Sequence, residues 1–426
     1  MSQMTIVLLI FLAVVVVILT NKVSIPAACM MCAVLLEVTG VLNAQEAWAG
    51  LANTSVVMMA SMFIVAGGFG KTSVLQKISL GAIKPGSSDR KILFTFAIMI
   101  FMLGCFTNAA GTCAIMFPLI YQVCKAHERP VSKFIYPCCA LATLWAGTVP
   151  LGGNSGSYIG YNTVIEQLGG QGTFDYFTMF FAKLPIAVLM TALVIWTGTK
   201  FAPVNPEADA ALITVKGKNV AAKLSPMKEK IAVVIFVATV LGVIVCAITG
   251  ISVWKASCLG ALAMCFSGVI EKNEAPKHIA WPVIFIFVGM LPLSTALNKT
   301  GGDVVIANIV TKLLGGTTNS YVIMGVIFLI TSILTQLMSN TAVGAIFRPL
   351  AALIAIQAGF DARACMLAAM CGSSSAFLLP TASPHHAMGF DAGKYTIPQY
   401  VRCGLLNLIA YFVLFMIWVP LIYPCS

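Results

Sequence analysis

ILFTFAIMIFMLGCFTNAAGTCAIMFPLIYQVC, residues 92–124, is an uncharged run of 33 residues, and its length decides the fold. One membrane crossing takes about 20 apolar residues. The run is too long for one crossing and too short for two plus a turn. Its middle holds the polar stretch Thr107-Asn108-Ala109-Ala110-Gly111. Three more runs misfit in the same way: residues 134–165 break at Pro150 to Ser157, residues 313–347 at Ser339-Asn340-Thr341, and residues 364–390 at Pro380 to His386. Non-helical backbone survives at membrane depth only where protein or a water-filled cavity satisfies its polar groups, so the four breaks are expected to converge on one cavity.

Composition agrees with a membrane protein. Of 426 residues, 59% are hydrophobic and 9% charged, with a mean hydropathy of +0.96, which cannot clothe a soluble surface. The net charge of +11 sits in short gaps between apolar runs and so encodes topology, with no nucleic acid as partner. Eight further runs each fit one crossing: 1–21, 23–41, 47–70, 184–199, 231–254, 256–270, 279–298 and 403–426. The first of these lacks a basic leader and a small-residue cleavage site, and reads as a span. The 14 cysteines lie mostly inside apolar runs; Cys29-x-x-Cys32 has no His or acidic companion, so they read as small buried residues, with no metal site and no cofactor.

The misfits form a repeat. Thr107-Asn108 is followed by Phe117-Pro118-Leu119, and Asn340-Thr341 by Arg348-Pro349-Leu350, at an offset of 231 residues. The chain therefore divides into a first repeat, 1–200, a polar linker, 201–230, and a second repeat, 231–426. With the first and third misfits as re-entrant hairpins and the others as broken spans, each repeat holds five crossings plus one hairpin. An odd count inverts the second repeat against the first. The fold class is thus an all-α polytopic membrane protein of two inverted repeats. Placing both termini outside puts 19 Lys and Arg on the cytoplasmic face, linker included, and leaves five (Lys183, Lys255, Lys299, Lys312 and Arg363) on the other. The expected location is the plasma membrane.

At Ser339-Asn340-Thr341, its degenerate partner Thr107-Asn108-Ala109 and the Trp281 to Gly302 segment, the chain resembles the divalent anion/sodium symporter family of the ion transporter superfamily. The resemblance implies transport of di- or tricarboxylates or sulfate by an elevator motion, on a scaffold that pairs as a homodimer. It implies substrate binding at Thr107, Asn108, Ser339, Asn340, Thr341 and Thr381. Sodium, where used, would sit near Asn108, Gly152, Ser155, Ser157, Asn340 and Ser383. The sequence departs from the family pattern: the first loop lacks the usual Pro-Pro-Asn, Ala109 stands where a signature Thr would be, and the second loop ends in His385-His386.

The residue types suit an anion site. Half-helix amino termini offer bare amides and a positive dipole end, and Asn108, Asn340 and Thr341 add donors without fixed charge. Ser, Thr and Asn in membrane helices also simply bond neighbouring helices. Arg348 lies well inside an apolar run, where a charge costs at least roughly 2.5–3.5 kcal/mol and points to function, although an outward-snorkelling structural Arg gives the same pattern. His385 and His386 are expected to line the cavity and, with Arg348, to complete the substrate site. Built-in positive charge favours exchange or proton coupling over a sodium symporter. An anion channel would give no reason for paired hairpins, and an intramembrane enzyme would need an acidic partner that the histidine loop lacks.

Overall fold

In the computed structural model the described residues are 2–20, 22–73, 83, 86–105, 108–150, 157–170, 172–210, 224–249, 251–279, 281–302, 305, 319–337 and 340–423. They are helical throughout, with no strand among them. The principal helices of the first half are α1 (Gln3–Thr20), α2 (Ile25–Val38), α3 (Thr54–Gly70), α4 (Asp89–Gly104), α5 (Ala109–Ala126), α6 (Ser132–Trp145), α7 (Ser157–Gln167) and α8 (Thr178–Phe201). Those of the second half are α9 (Pro226–Thr249), α10 (Trp254–Phe266), α11 (Trp281–Thr300), α12 (Ser320–Leu337), α13 (Asn340–Gln357), α14 (Ala362–Ser373), α15 (Pro384–Ala392) and α16 (Ile397–Ile422).

The two halves run through the same order. In each, a short helix (Ala44–Trp48, Ala275–His278) precedes the third principal helix, and two helices of similar length flank the hairpin break. Pro118 and Pro349 stand at matching positions inside α5 and α13. Packing repeats as well: α2 lies on α11 and α3 on α10, α4 and α5 lie on α6 as α12 and α13 lie on α14, and α8 crosses α16. Close approach is bought with glycine: a Cβ on Gly289 would stand 2.3 Å from the Cys29 backbone, so α11 can touch α2 only without a side chain there.

The open ends of the first hairpin lie on one face. Asp89 begins α4, and its carboxylate meets Lys133 at 2.6 Å and Arg129 at 3.6 Å, both just beyond the end of α5. Lys71 meets Glu274 at 2.6 Å and Lys299 meets Glu46 at 3.1 Å, each pair joining residues that the charge count puts on the same side. Among the described residues, five helical stretches are long and apolar enough to cross a membrane, α5, α8 and α16 being three of them.

Apolar packing falls into one large cluster and smaller ones that touch it, Leu291 of α11 joining the large cluster, Ile346 of α13 joining that of α1 and α2, and a fourth bringing Met58 of α3 and Val243 of α9 to Tyr176. One core cluster joins α4 to α8 with α12 to α16; others join α1, α2 and α11, and α3, α9 and α10.

Three expectations are corrected. The runs 23–41 and 256–270 form helices of only 14 and 13 residues, about 20 Å at 1.5 Å per residue. Run 47–70 is interrupted by a 3-10 turn at Ala49–Ala52. The break in the last misfit begins earlier than Pro380, because α14 ends at Ser373. There Ser373, Ser374 and Ser375 turn their hydroxyls onto the Met370 and Gly372 carbonyls, competing with the helix ladder. Lys183, placed by the charge count on the outer side, is only 8% exposed.

Candidate functional site

The second hairpin tip and the second broken span meet through side chains. Gln336, one residue before the end of α12, donates Nε2 to the Ser375 carbonyl at 2.8 Å and to Ser332 O at 2.9 Å, and its Oε1 accepts from Leu378 N at 3.1 Å. Thr335 Oγ1 stands 2.7 Å from both Asn340 Oδ1 and the Ser373 carbonyl. Ser332 and Ser375 share a hydroxyl contact of 2.7 Å. Thr335, Ser332 and Gln336 are all buried. A membrane interior tolerates the irregular backbone of 374–379 because these groups satisfy it.

Asn340 is the first residue of α13, half-buried, and Thr341 beside it is exposed. Asn108 caps α5, its side chain accepting from Gly111 N at 2.8 Å, and is exposed. Neither α5 nor α13 has an acidic residue in its first turn, so both tips present uncompensated amino-terminal dipoles. Thr107, Ser339, Gly152 and Ser155 lie outside the described residues. Of Ser157, which opens α7, and Thr381, in the 3-10 turn Pro380–Ala382, only the backbone is described.

His385 and His386 open α15 and are buried at 3% and 0% exposure. Thr143 Oγ1, on α6, lies 2.8 Å from His385 Nε2 and 3.0 Å from His386 Nε2, and 3.0 Å from the Cys139 carbonyl. Ser383 Oγ lies 3.1 Å from His385 Nδ1, and His386 Nδ1 meets the Tyr400 hydroxyl. One assignment satisfies them all: Thr143 donates to Cys139 O and accepts from both Nε2–H groups, while Ser383 and Tyr400 donate to the two Nδ1 atoms. All four ring nitrogens are then engaged within the protein, and the pair holds the second break against α6. Ser383 is buried in the same network.

Arg348, midway along α13, reaches across to α7. Its Nη1 donates to Tyr161 Oη at 3.2 Å, with the guanidinium 5.7 Å from the ring centre, while its Nε is buried without a partner. Arg348 and the second tip therefore share α13, whereas the histidines belong to the α6–α15 contact. No Asp or Glu is buried among the described residues, so the interior carries no fixed negative charge there. Gln336, Thr335 and the Ser373 to Ser375 run escape a sequence reading based on breaks. The triple serine after Gly372 is the one signal that could have marked them.

Comparison with known proteins adds the lineage. A family model described as a citrate transporter matches residues 15–372. The uncharacterized transporter YfbS of Escherichia coli is 29% identical over 157 residues, 36% of this chain and 25% of that protein. The chain thus spans about a quarter of that relative's length. The sodium-dependent dicarboxylate transporter SdcS of Staphylococcus saprophyticus is 25% identical over 447 residues, covering 95% of this chain and 84% of that one. A probable sodium/sulfate cotransporter 3 of Chlamydomonas reinhardtii is 29% identical over 157 residues, 36% of this chain and 17% of the relative. Among solved structures, the YdaH transporter of Alcanivorax borkumensis superposes with a TM-score of 0.65 at 14% identity, over 100% of both chains. MtrF of Neisseria gonorrhoeae gives 0.62 at 14% identity, over 98% of this chain and 95% of its own. Both likenesses are of fold.

Proposed function

This chain belongs to the citrate transporter family, and from that premise we propose that it is a secondary active carrier of small organic dianions, di- or tricarboxylates, working as an exchanger or with protons. The observation that carries the reading is the junction of the second hairpin tip with the second break. There Asn340, Thr335 and Gln336 gather polar groups around a bare helix terminus, and no carboxylate is buried among the described residues. Such a place holds an anion by dipoles and hydrogen bonds, weakly enough to release it. The substrate contacts are proposed at Thr107, Asn108, Ser339, Asn340, Thr341, Thr381 and Arg348. His385 and His386 act by positioning the loop between them and the tip.

The proposed mechanism is an elevator, and the largest apolar cluster unites the helices assigned to its moving body. The body built on the two hairpins slides as a unit past the one built on α1 to α3 and α9 to α11, each body drawing on both inverted repeats. Val234, Leu241, Leu259 and Phe266, exposed on α9 and α10, suit a face turned to lipid or to a second copy in a homodimer. The proposed topology puts both termini outside and the 201–230 linker in the cytoplasm, at the plasma membrane; the ion pairs agree with its grouping of residues by side, and the charge count supplies the orientation.

A second reading, sodium-coupled symport, is favoured by the dicarboxylate relative that matches nearly the whole chain. Sodium would then use Asn108, Asn340 and the oxygens around Gly152, Ser155, Ser157 and Ser383. Uptake of labelled succinate into proteoliposomes, with and without sodium and with and without internal succinate, separates the two. Exchange predicts uptake in sodium-free buffer accelerated by internal substrate. Strict sodium dependence with no effect of internal substrate selects the symporter, and flux without saturation would make the protein a channel.

A further inference from the structure

A groove of about 680 Å³ runs between α4 and α8, with Trp145 of α6 beneath it. Built ligand sites enclose roughly 300–1,000 Å³. Phe94 and Ile98 of α4 and Val188 and Trp196 of α8 form its walls and are exposed, whereas Trp145 is buried. The Thr191 hydroxyl on the same wall accepts from Trp145 Nε1 at 3.0 Å and donates to the Ala187 carbonyl at 2.7 Å. Between its ends, therefore, the groove offers apolar surface, with the polar groups of Thr191 and Trp145 already paired.

The two ends of the groove differ in charge. Arg90, in the first turn of α4, lines one of them. Lys200, in the last turn of α8, stands at that same end, because a Cβ on Gly198 would lie 3.3 Å from the Leu93 side chain. Its ammonium lies over the Trp196 ring, 4.7 Å from the centre. Neither cation pairs with a carboxylate among the described residues, and Asp89 beside Arg90 is taken by Lys133 and Arg129. The other end, at Phe101 and Leu184, is apolar. From Arg90 to Phe101 the α4 wall rises about 16 Å at 1.5 Å per residue. Half of a hydrocarbon core about 30 Å thick is about 15 Å, so the groove has the depth of one leaflet. α8 is long and apolar enough to cross a membrane, and Trp196 and Lys200 near its end are the residue types that mark the interface.

We propose that the α4–α8 groove binds an anionic glycerophospholipid of the cytoplasmic leaflet, one acyl chain lying along Phe94, Ile98 and Val188 and the phosphate held by Arg90 and Lys200. The guanidinium fork matches two phosphate oxygens, and the ammonium adds a point charge beside it. The cytoplasmic leaflet follows from the charge count, which puts both cations on that side. A second copy of the chain suits the groove less well. In the same membrane orientation it would bring its own Arg90 and Lys200 to the same level, cation against cation. The site is independent of the carried anion and goes beyond the carrier reading.

The test titrates the purified protein in detergent with phosphatidylglycerol or with phosphatidylcholine of the same chains, reading the rise in unfolding temperature and, by native mass spectrometry, the lipid bound. Phosphatidylglycerol should half-saturate at the lower concentration, by roughly fivefold for each cation. Arg90→Gln and Lys200→Gln, both at exposed positions, should each remove about fivefold of that preference, and the double variant all of it. Ala192→Phe narrows the groove without changing charge and should weaken both lipids alike. Glycerol phosphate, a head without a chain, should leave the unfolding temperature unchanged. Equal half-saturation by the two lipids in the wild type, or a preference that survives in the double variant, overturns the site. So does lipid binding that is unaffected by Ala192→Phe, or stabilisation by glycerol phosphate as large as that by the lipid. A pairing of copies that Ala192→Phe abolishes while lipid binding stays as in the wild type would make the groove a contact between copies instead.

Discussion

Gln336→Leu tests whether the tip and the break form one device. Leucine nearly fills the glutamine's volume, so the change removes bonds without opening a cavity. Three bonds of Gln336 join described residues, and they are not equal losses. Ser332 O keeps its own helix, and Ser375 O still accepts from Phe377 N at 2.9 Å. Leu378 N loses the acceptor that stands 3.1 Å away. An orphaned buried N–H costs about 1–3 kcal/mol and the lost bond at Ser375 about 1, so the docked arrangement weakens by about 2–4 kcal/mol. At 1.4 kcal/mol per tenfold, that is a shift of roughly 30- to 700-fold in the balance between docked and undocked tips. Succinate counterflow in proteoliposomes should fall accordingly, while the purified protein remains monodisperse and unfolds at a moderately lower temperature. Gln336→Glu should do worse, since a carboxylate cannot donate to Ser375 O and puts negative charge at the proposed anion site. Counterflow within twofold of wild type in Gln336→Leu, at unaltered stability, would refute the coupling of tip to break.

Other expectations follow from the same geometry. Thr143→Val leaves two buried imidazole N–H groups without an acceptor and should destabilise the protein by about 2–6 kcal/mol, whereas Thr143→Ser should be near wild type; equal unfolding temperatures for Val and Ser would dismiss the network. Asn108→Ala and Asn340→Ala should each abolish uptake, Asn108→Ala at a stability cost of only about 1 kcal/mol from the lost cap, and near-normal uptake in both would remove the tips from the site. His278 ends the short helix before α11, packed so closely on α3 that a Cβ on Gly67 would stand 2.4 Å from its ring. Burial first, and then Lys71, hold its pKa below the usual histidine value against the pull of Glu274. The native state therefore resists protonation, and stability present above about pH 6.5 should be lost as pH falls below it. His278→Gln should flatten the unfolding temperature between pH 7 and 5; an unchanged slope would show that His278 does not contribute.

The breaks were legible because a polar or glycine residue in the middle of an overlong apolar run has few physical explanations. Asn108 and Asn340 fall where that reasoning puts them, each at the start of a half-helix. Gln336 was not legible: a single amide at the end of an apolar run looks like a helix terminus, and its partners Ser375 and Leu378 lie about forty residues on. The burial of Lys183 was not legible, because a lysine near a span's end is expected to snorkel. The histidines looked like cavity residues from their loop, but Thr143, 242 positions away from His385, draws them into the interior.

Phe117-Pro118 and Arg348-Pro349 occupy equivalent places in the two halves, 231 residues apart. Arg348 faces Tyr161 on α7, whereas the Phe117 ring lies beside Gly389 on α15, 3.6 Å from where a Cβ there would stand. A duplicated frame has thus been made electrostatically lopsided at one pair of positions. A carrier whose two ends differ in this way should have unequal half-saturation concentrations from its two sides. Catalysis cannot move an equilibrium, so the ratio of those concentrations must be matched by the ratio of the maximal rates in the two directions. The guanidinium in place of a phenyl ring would therefore set a kinetic direction, with fast filling from the dilute side and slower return, while the gradient alone decides where net flow stops.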